Sequence, residues 1–175
     1  MTVASQSAEE IARYRTAISR SNLSAPLQTA GRYGYLDGTK SFFDYGCGRG
    51  HDIAILETAG IRVSGWDPHY RPGEELKNAD VVNLGYVLNV IEDDKERREA
   101  LECAAALANQ ILIVSVISSH SVDISRYRKH GDGVVTDIGT FQRYFLQHEI
   151  KAFIEEITTQ EAIAVGQGLF FVFFD

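Results

Sequence analysis

The chain has 175 residues, a formal net charge of −7, a sequence pI near 5.2 and 45% hydrophobic residues. That length suits one domain at the large end of the usual ~100–150 residues, and the apolar share excludes a disordered chain. The acidity argues against a broadly basic nucleic-acid surface, and two cysteines, Cys47 and Cys103, are too few for a disulfide framework. No apolar run approaches the ~20 residues of a membrane span, no basic-plus-apolar leader opens the chain, and no Cys/His group has zinc spacing. The expectation is a cytoplasmic protein with reduced thiols, no membrane contact and no metal.

In chain order, residues 7–20 read as an opening helix, with Ser7 and Glu10 at capping-box spacing and Ile11, Tyr14 and Ile18 on one face. Residues 24–40 read as a short helix, with Pro26 in its first turn, and then a Gly-rich turn. Alternation comes next: strand 41–47, helix 52–60 closed by Gly60, strand 61–66 and strand 79–85. Helix 93–108 carries a capping box, Asp93 and Glu96, and an apolar stripe of Ala100, Cys103, Ala104, Leu107 and Ala108. A buried strand spans 110–116 and a polar loop spans 118–133. Helix 136–148 is expected to turn Ile138, Phe141 and Phe145 inward, and a further helix covers 149–157. "EAIAV", "GQG" and "LFFVFF" read as an antiparallel hairpin. The order predicts an α/β fold: a Rossmann-like, doubly wound, mainly parallel sheet with a C-terminal antiparallel strand pair. Residues 1–40 form a helical lid or extension, and 41–175 form the main domain.

The densest signal is "DYGCGRG" (44–50), at the carboxyl end of the first strand. Ligands of such sheets bind outside the carboxyl strand ends, glycines admit close backbone approach, and the next helix start favours an anionic group. Asp67, in "GWDP", closes the second strand, where an acid can accept both hydroxyls of a ribose. Together they predict a nucleoside-containing cofactor. Gly46, Gly48 and Gly50 are spaced G-x-G-x-G, whereas a nicotinamide fingerprint needs its third glycine at the position of His51. Asp44 would repel a pyrophosphate and suits an ammonium, such as the α-amino group of S-adenosylmethionine.

These residues carry a resemblance. "FFDYGCGRG" resembles motif I of class I S-adenosylmethionine-dependent methyltransferases, and Asp67 matches their acid after strand two. "ADVVNLGYVLNVIEDDKERREALECAAALANQILIVSV" resembles their fourth strand, the helix after it and their fifth strand. More narrowly, "RTAISRSNLSAPL", "DYGCGRG", "GWDP", "VVNLGYVLNVIED" and "GLFFVFF" are similar to the methyltransferase-like proteins associated with DNA phosphorothioation gene clusters. The resemblance implies S-adenosylmethionine as cofactor, held by Asp44, Gly46, Cys47, Gly48, Gly50, Asp67, Pro68, Asn83 and Leu84. It implies methyl transfer to an acceptor that is either DNA-modification-linked or a small molecule. Only residues 68–79 separate Asp67 from Asp80, so the sheet should be abbreviated at its third-strand edge, with Asn78, Ala79 or Trp66 flanking the adenine. Relatives of the narrower group continue past the last strand, so a chain ending at Asp175 is expected to be a truncated or free-standing form.

Tyr86 and Asn89 are the expected catalytic residues, with Glu92 also within reach of the acceptor. The matching place for base-amine methylation reads "NLGY", with neither proline of the usual motif, and no Pro-Cys nucleophile is present. His51 and His69 lie near the cofactor, and His120 or His130 is a candidate base. Arg126, Arg128 and Lys129 either bind an acidic acceptor group or form a solvated surface. Tyr14, Arg15 and Arg20 are expected to touch the methionine carboxylate from the lid. The alternatives are a catalytically silent module of the same fold, acting as partner or sensor, and a nicotinamide-dependent oxidoreductase. The apolar "LFFVFF" segment leaves a homodimer open.

Overall fold

The alternation of apolar runs and amphipathic stretches resolves into one mixed six-stranded sheet with helices on both faces. The computed structural model describes residues 11–17, 21–119 and 122–175. The predicted cap of Ser7 and Glu10, together with Ile18, Arg20 and His120, lies outside them.

The sheet has the order β2-β1-β3-β4-β9-β8. It is built from β1 (Phe42–Tyr45), β2 (Val63–Trp66), β3 (Ala79–Gly85), β4 (Ala108–Ser115), β8 (Ala162–Gly166) and β9 (Leu169–Phe173). The first four run parallel, and β9 enters antiparallel between β4 and β8. The register sets Asp44 beside Asn83 and Tyr45 beside Trp66, which brings the site's polar groups to one sheet end. Strand β2 is the edge, and residues 67–78 return to β3 without helix or strand. The third-strand layer is therefore absent, as the short spacing predicts.

Helices α1 (Ala25–Arg32) and α2 (His51–Thr58) cover one face, closing a core around Phe42, Val81, Ile113 and Phe171. Helices α3 (Asp94–Leu107) and α4 (Gln147–Thr158) cover the other, over Phe43, Val82, Leu112 and Phe170. Each fully buried phenylalanine contributes ~1.5–3 kcal/mol of transfer free energy. In α3 the Asp93 carboxylate accepts from the Glu96 N–H at 2.8 Å, the predicted cap. Its buried stripe is Arg97, Ala100, Leu101 and Ala104, while Cys103 is exposed.

Three expectations are corrected. Across 11–17 the opening helix is replaced by one 3₁₀ turn, Arg13–Thr16, because Arg13, Tyr14 and Arg15 each turn to a different partner. The loop 118–133 contains β5 (Arg128–His130), which pairs with β6 (Gly133–Val135) and then β7 (Phe141–Gln142) in a small antiparallel sheet. Helix 136–148 does not form. Thr136 and Thr140 pair through backbone and hydroxyls around Gly139 (φ 75°), which makes a turn instead. Phe141 and Phe145 are buried as expected, but from extended backbone, and Ile138 is 59% exposed.

Candidate cofactor and acceptor site

The carboxyl end of β1 passes into a turn whose three glycines have φ of 77°, 54° and 76°, a region that L side chains rarely occupy. Gly46 shows why the residue is needed: a Cβ there would lie 2.4 Å from Val87 Cγ2. The Gly46 and Cys47 amides donate to the Trp66 carbonyl, tying the turn to the end of β2. Gly50 is the left-handed cap of α2 and packs under the Arg71 guanidinium, so it shapes the turn without lining the space above it.

Asp67 fixes this turn to its own loop. Its Oδ2 accepts from the Gly48 N–H at 3.0 Å, and its Oδ1 accepts from the His69 and Tyr70 N–H groups at 2.9 and 2.8 Å. A carboxylate offers about four lone-pair sites, so roughly one remains for a further donor. Across the sheet, Asn83 Nδ2 donates to Asp44 Oδ1 at 2.8 Å. The Asn83 Oδ1 is buried without a partner, and Gly85 leaves the amide its room. Tyr86 follows with φ 60°, strained for a bulky residue, and its N–H donates to the Ser115 carbonyl.

A cavity of about 700 Å³ lies over these strand ends. It is lined by Asp44, Gly46, Cys47 and Gly48, and by Asp67, Pro68, Asn83 and Tyr86. Leu84 is fully buried in the core instead. Asn89 is also fully buried and away from the lining. Its amide donates to the Ile117 and Arg143 carbonyls and accepts from the Ile117 N–H, so it braces backbone. Of the proposed adenine neighbours only Trp66 lines the cavity. Asn78 donates to the carbonyls ending α3, and Ala79 is in the core.

Residues 11–17 cross the cavity. Arg13 pairs with Glu92 at 3.0 Å and with both oxygens of Glu96, and these carboxylates, Glu96 above all, raise its already high pKa. Tyr14 stacks on His69 at 4.2 Å, and its carbonyl accepts from the Tyr70 hydroxyl. Arg15 donates to the Ile138 carbonyl, so its guanidinium is anchored on the turn between β6 and β7. Burial first, then the Asp44 charge, pushes the Cys47 thiol up to about 12. Burial also pushes the Tyr45 phenol up to about 12, with Cys103 as the next cause. Arg128, Lys129 and His130 are exposed on β5 and do not line the cavity; Arg126 turns to Tyr127 and Asp137. Among the described residues no group of three or more His, Cys, Asp or Glu is placed to hold a metal ion, and no helix is long and apolar enough to cross a membrane.

Sequence reasoning missed Ser24, Arg13 and Gln142 in the lining. Ser24 is reached because its N–H donates to Asp52 in the first turn of α2, at 2.8 Å. Gln142 gave no sequence signal, since its segment carries helical apolar spacing yet folds as β7.

No family model matches the chain, and no curated protein matches it. Solved structures do. An S-adenosylmethionine-bound amino pentose methyltransferase from Micromonospora echinaspora superposes with a TM-score of 0.61 at 16% identity, covering 92% of this chain and 93% of that one. A sugar N-methyltransferase from Streptoalloteichus gives 0.62 at 14% identity, over 99% and 96%. Magnesium protoporphyrin IX methyltransferase from Synechocystis, with bound S-adenosylhomocysteine, gives 0.60 at 14%, over 93% of each chain. The chain shares the fold of these methyltransferases.

Proposed function

We propose that the chain is an S-adenosylmethionine-dependent methyltransferase acting on a small molecule. One observation carries the reading: the unpartnered Asn83 carbonyl sits beside the Asp44 carboxylate in the lining of the cavity. Such a group is an oddity in a folded protein, because a buried acceptor without a donor loses its hydration for nothing. An ammonium supplies donors to both oxygens, and the pair disfavours a pyrophosphate. The residues therefore fit the cofactor better than a dinucleotide.

In this reading Asp44 and Asn83 hold the cofactor's α-amino group, and the unpartnered Ser24 hydroxyl donates to its carboxylate. The glycine turn admits the chain of the ligand, and Asp67 takes one ribose hydroxyl with its remaining acceptor capacity. When bound, the cofactor supplies an electrophilic methyl group. The chain's share is alignment and exclusion of water: Tyr86 is held in a strained conformation at the lining, and residues 11–17 cover the opening. The spanning segment and the acidic charge favour a small acceptor over duplex DNA.

The test is calorimetric titration with S-adenosylhomocysteine and, separately, with NADH. Wild type is expected to bind the first in the micromolar range, about −8 kcal/mol, and the second not at all. Asp67→Ala, checked by thermal melting to be folded, should weaken binding strongly. A folded wild type that binds NADH and not S-adenosylhomocysteine sinks the proposal.

A further inference from the structure

Four buried side-chain polar atoms have no hydrogen-bond partner among the described residues: Ser24 Oγ, Asn83 Oδ1, Ser115 Oγ and Gln142 Oε1. Ser24, Asn83 and Gln142 line the same cavity. Buried acceptors without donors are rare in native proteins, and a cluster of them around one space marks where a ligand completes the bonding. Ser24 and Asn83 belong to the strand-end side assigned above to the cofactor. Gln142 does not: it comes from β7, outside the main sheet.

Its placement is built. Phe141 is buried, and alternation along β7 turns Gln142 the opposite way, to the cavity. Next to it, the Arg143 N–H donates to the Asn89 carbonyl at 2.7 Å, and the Arg143 carbonyl accepts from Asn89 Nδ2 at 2.6 Å. The Arg143 guanidinium pairs with Asp132, which also takes the fully buried Arg97 of α3. The small sheet is thereby pinned from both sides, and Gln142 is held beside the segment that supplies Val90, Ile91 and Tyr86 to the lining.

We propose that Gln142 recognises the methyl acceptor: its Oε1 accepts a hydrogen bond from an O–H or N–H of that molecule. The acceptor is then an alcohol, phenol or amine on a compact, partly apolar body, since Val90, Ile91 and Ile117 form the neighbouring wall. The inference rests on the methyltransferase reading for the word acceptor, but the binding site it assigns is testable without turnover.

The probes are matched pairs, phenol with anisole and aniline with N,N-dimethylaniline, titrated by ligand-observed NMR with and without S-adenosylhomocysteine. Wild type should prefer the O–H or N–H member about ten-fold, the value of one buried acceptor satisfied or not. Gln142→Met, similar in size but lacking the acceptor, should lose the preference, and Gln142→Glu should keep it. The affinity of Gln142→Met for S-adenosylhomocysteine should stay within about two-fold of wild type. Preference that survives in Gln142→Met overturns the proposal, as does a wild type that binds neither hydroxyl nor amine probe. So does a parallel loss of S-adenosylhomocysteine affinity, which would put Gln142 in the cofactor site. Wild type failing to bind S-adenosylhomocysteine would sink the methyltransferase reading, while the preference measured on the protein alone would still decide the role of Gln142.

Discussion

The two sides of the cavity are made differently. On the strand-end side, the working parts are backbone: three positive-φ glycines, with the Gly48 amide held by Asp67 and two more turn amides by the Trp66 carbonyl. On the β5–β7 side, they are side chains tied by charge and hydrogen bonds: Arg97 and Arg143 on Asp132, and the Asn89 amide on the 117 and 143 backbone. A backbone cradle tolerates few residue types, because side chains rarely take positive φ and a Cβ at Gly46 would meet Val87. A side-chain clamp can be rebuilt from other residues at the same positions. One side is thus fixed by its backbone, and the other is adjustable through its side chains.

Substitutions on each side should separate these properties. The largest effect is expected from Gly46→Ala, where the new Cβ meets Val87 Cγ2 at 2.4 Å and φ is 77°. Left-handed backbone costs roughly 1–2 kcal/mol and overpacking a further ~1–3. Urea denaturation should show a loss of about 3 kcal/mol, and calorimetry the loss of S-adenosylhomocysteine binding. Adding Val87→Ala should return the overpacking share only. Asp132→Asn comes next, as it leaves Arg97, at 0% exposure, without its main counter-charge. Full loss of a buried partner costs ~3–5 kcal/mol; with the Asp132 side chain 39% exposed, about 2 kcal/mol is expected. This variant should keep S-adenosylhomocysteine binding and lose the Gln142-dependent probe preference. If both variants lost both properties, the two sides would be one cooperative unit and the distinction would fail.

The same contrast governs what could be read from sequence. The place of the glycine turn, Asp44 and Asp67 at the strand ends was legible because each is the residue type that a stated geometry demands, whereas Asn83 was named through the resemblance together with Leu84, which the fold buries in the core. Strand β3 was located at 79–85 because the short run around Val81, Val82 and Leu84, between two helical patterns, fits a buried strand of a parallel sheet. Gln142 was not legible, since Phe141 and Phe145 are spaced as on a helix and only the Thr136–Thr140 turn redirects the chain. Asn89 was placed correctly in sequence after β3, but its amide is spent on three backbone groups, which no motif announces.

The opposite end of the sheet supplies a control. Asp80 accepts from the N–H and the hydroxyl of Ser41, both at 2.8 Å, and these bonds hold its carboxyl below the ordinary range. A depressed carboxylate contributes stability above its unfolded value, about 3.9, and loses it as pH falls through the folded value. Asp80→Asn should therefore be less stable at neutral pH, with a shallower acid limb, and the two stability curves should converge at low pH. Cofactor binding should not move, since Asp80 is remote from the cavity lining. A variant curve parallel to wild type through the acid limb would mean that Asp80 carries none of the acid sensitivity.

The smallest effect is chemical. Only the thiolate of a cysteine is a good nucleophile, and the Cys47 thiol, pushed up to about 12 chiefly by burial, stays protonated at pH 8. Cys103 is exposed on α3. A disulfide reagent at pH 8 should therefore modify Cys103 quickly in the native protein, Cys103→Ser should remove that phase, and Cys47, half-buried in the cavity lining, should react slowly because little of it is thiolate. The glycine turn is cross-tied by the Trp66 carbonyl and Asp67, so its opening should track global unfolding in urea. A Cys47 phase that sub-denaturing urea leaves unchanged would be reaction through the cavity with the turn intact, whereas a Cys47 that reacted as fast as Cys103 would mean that burial does not hold its thiol protonated.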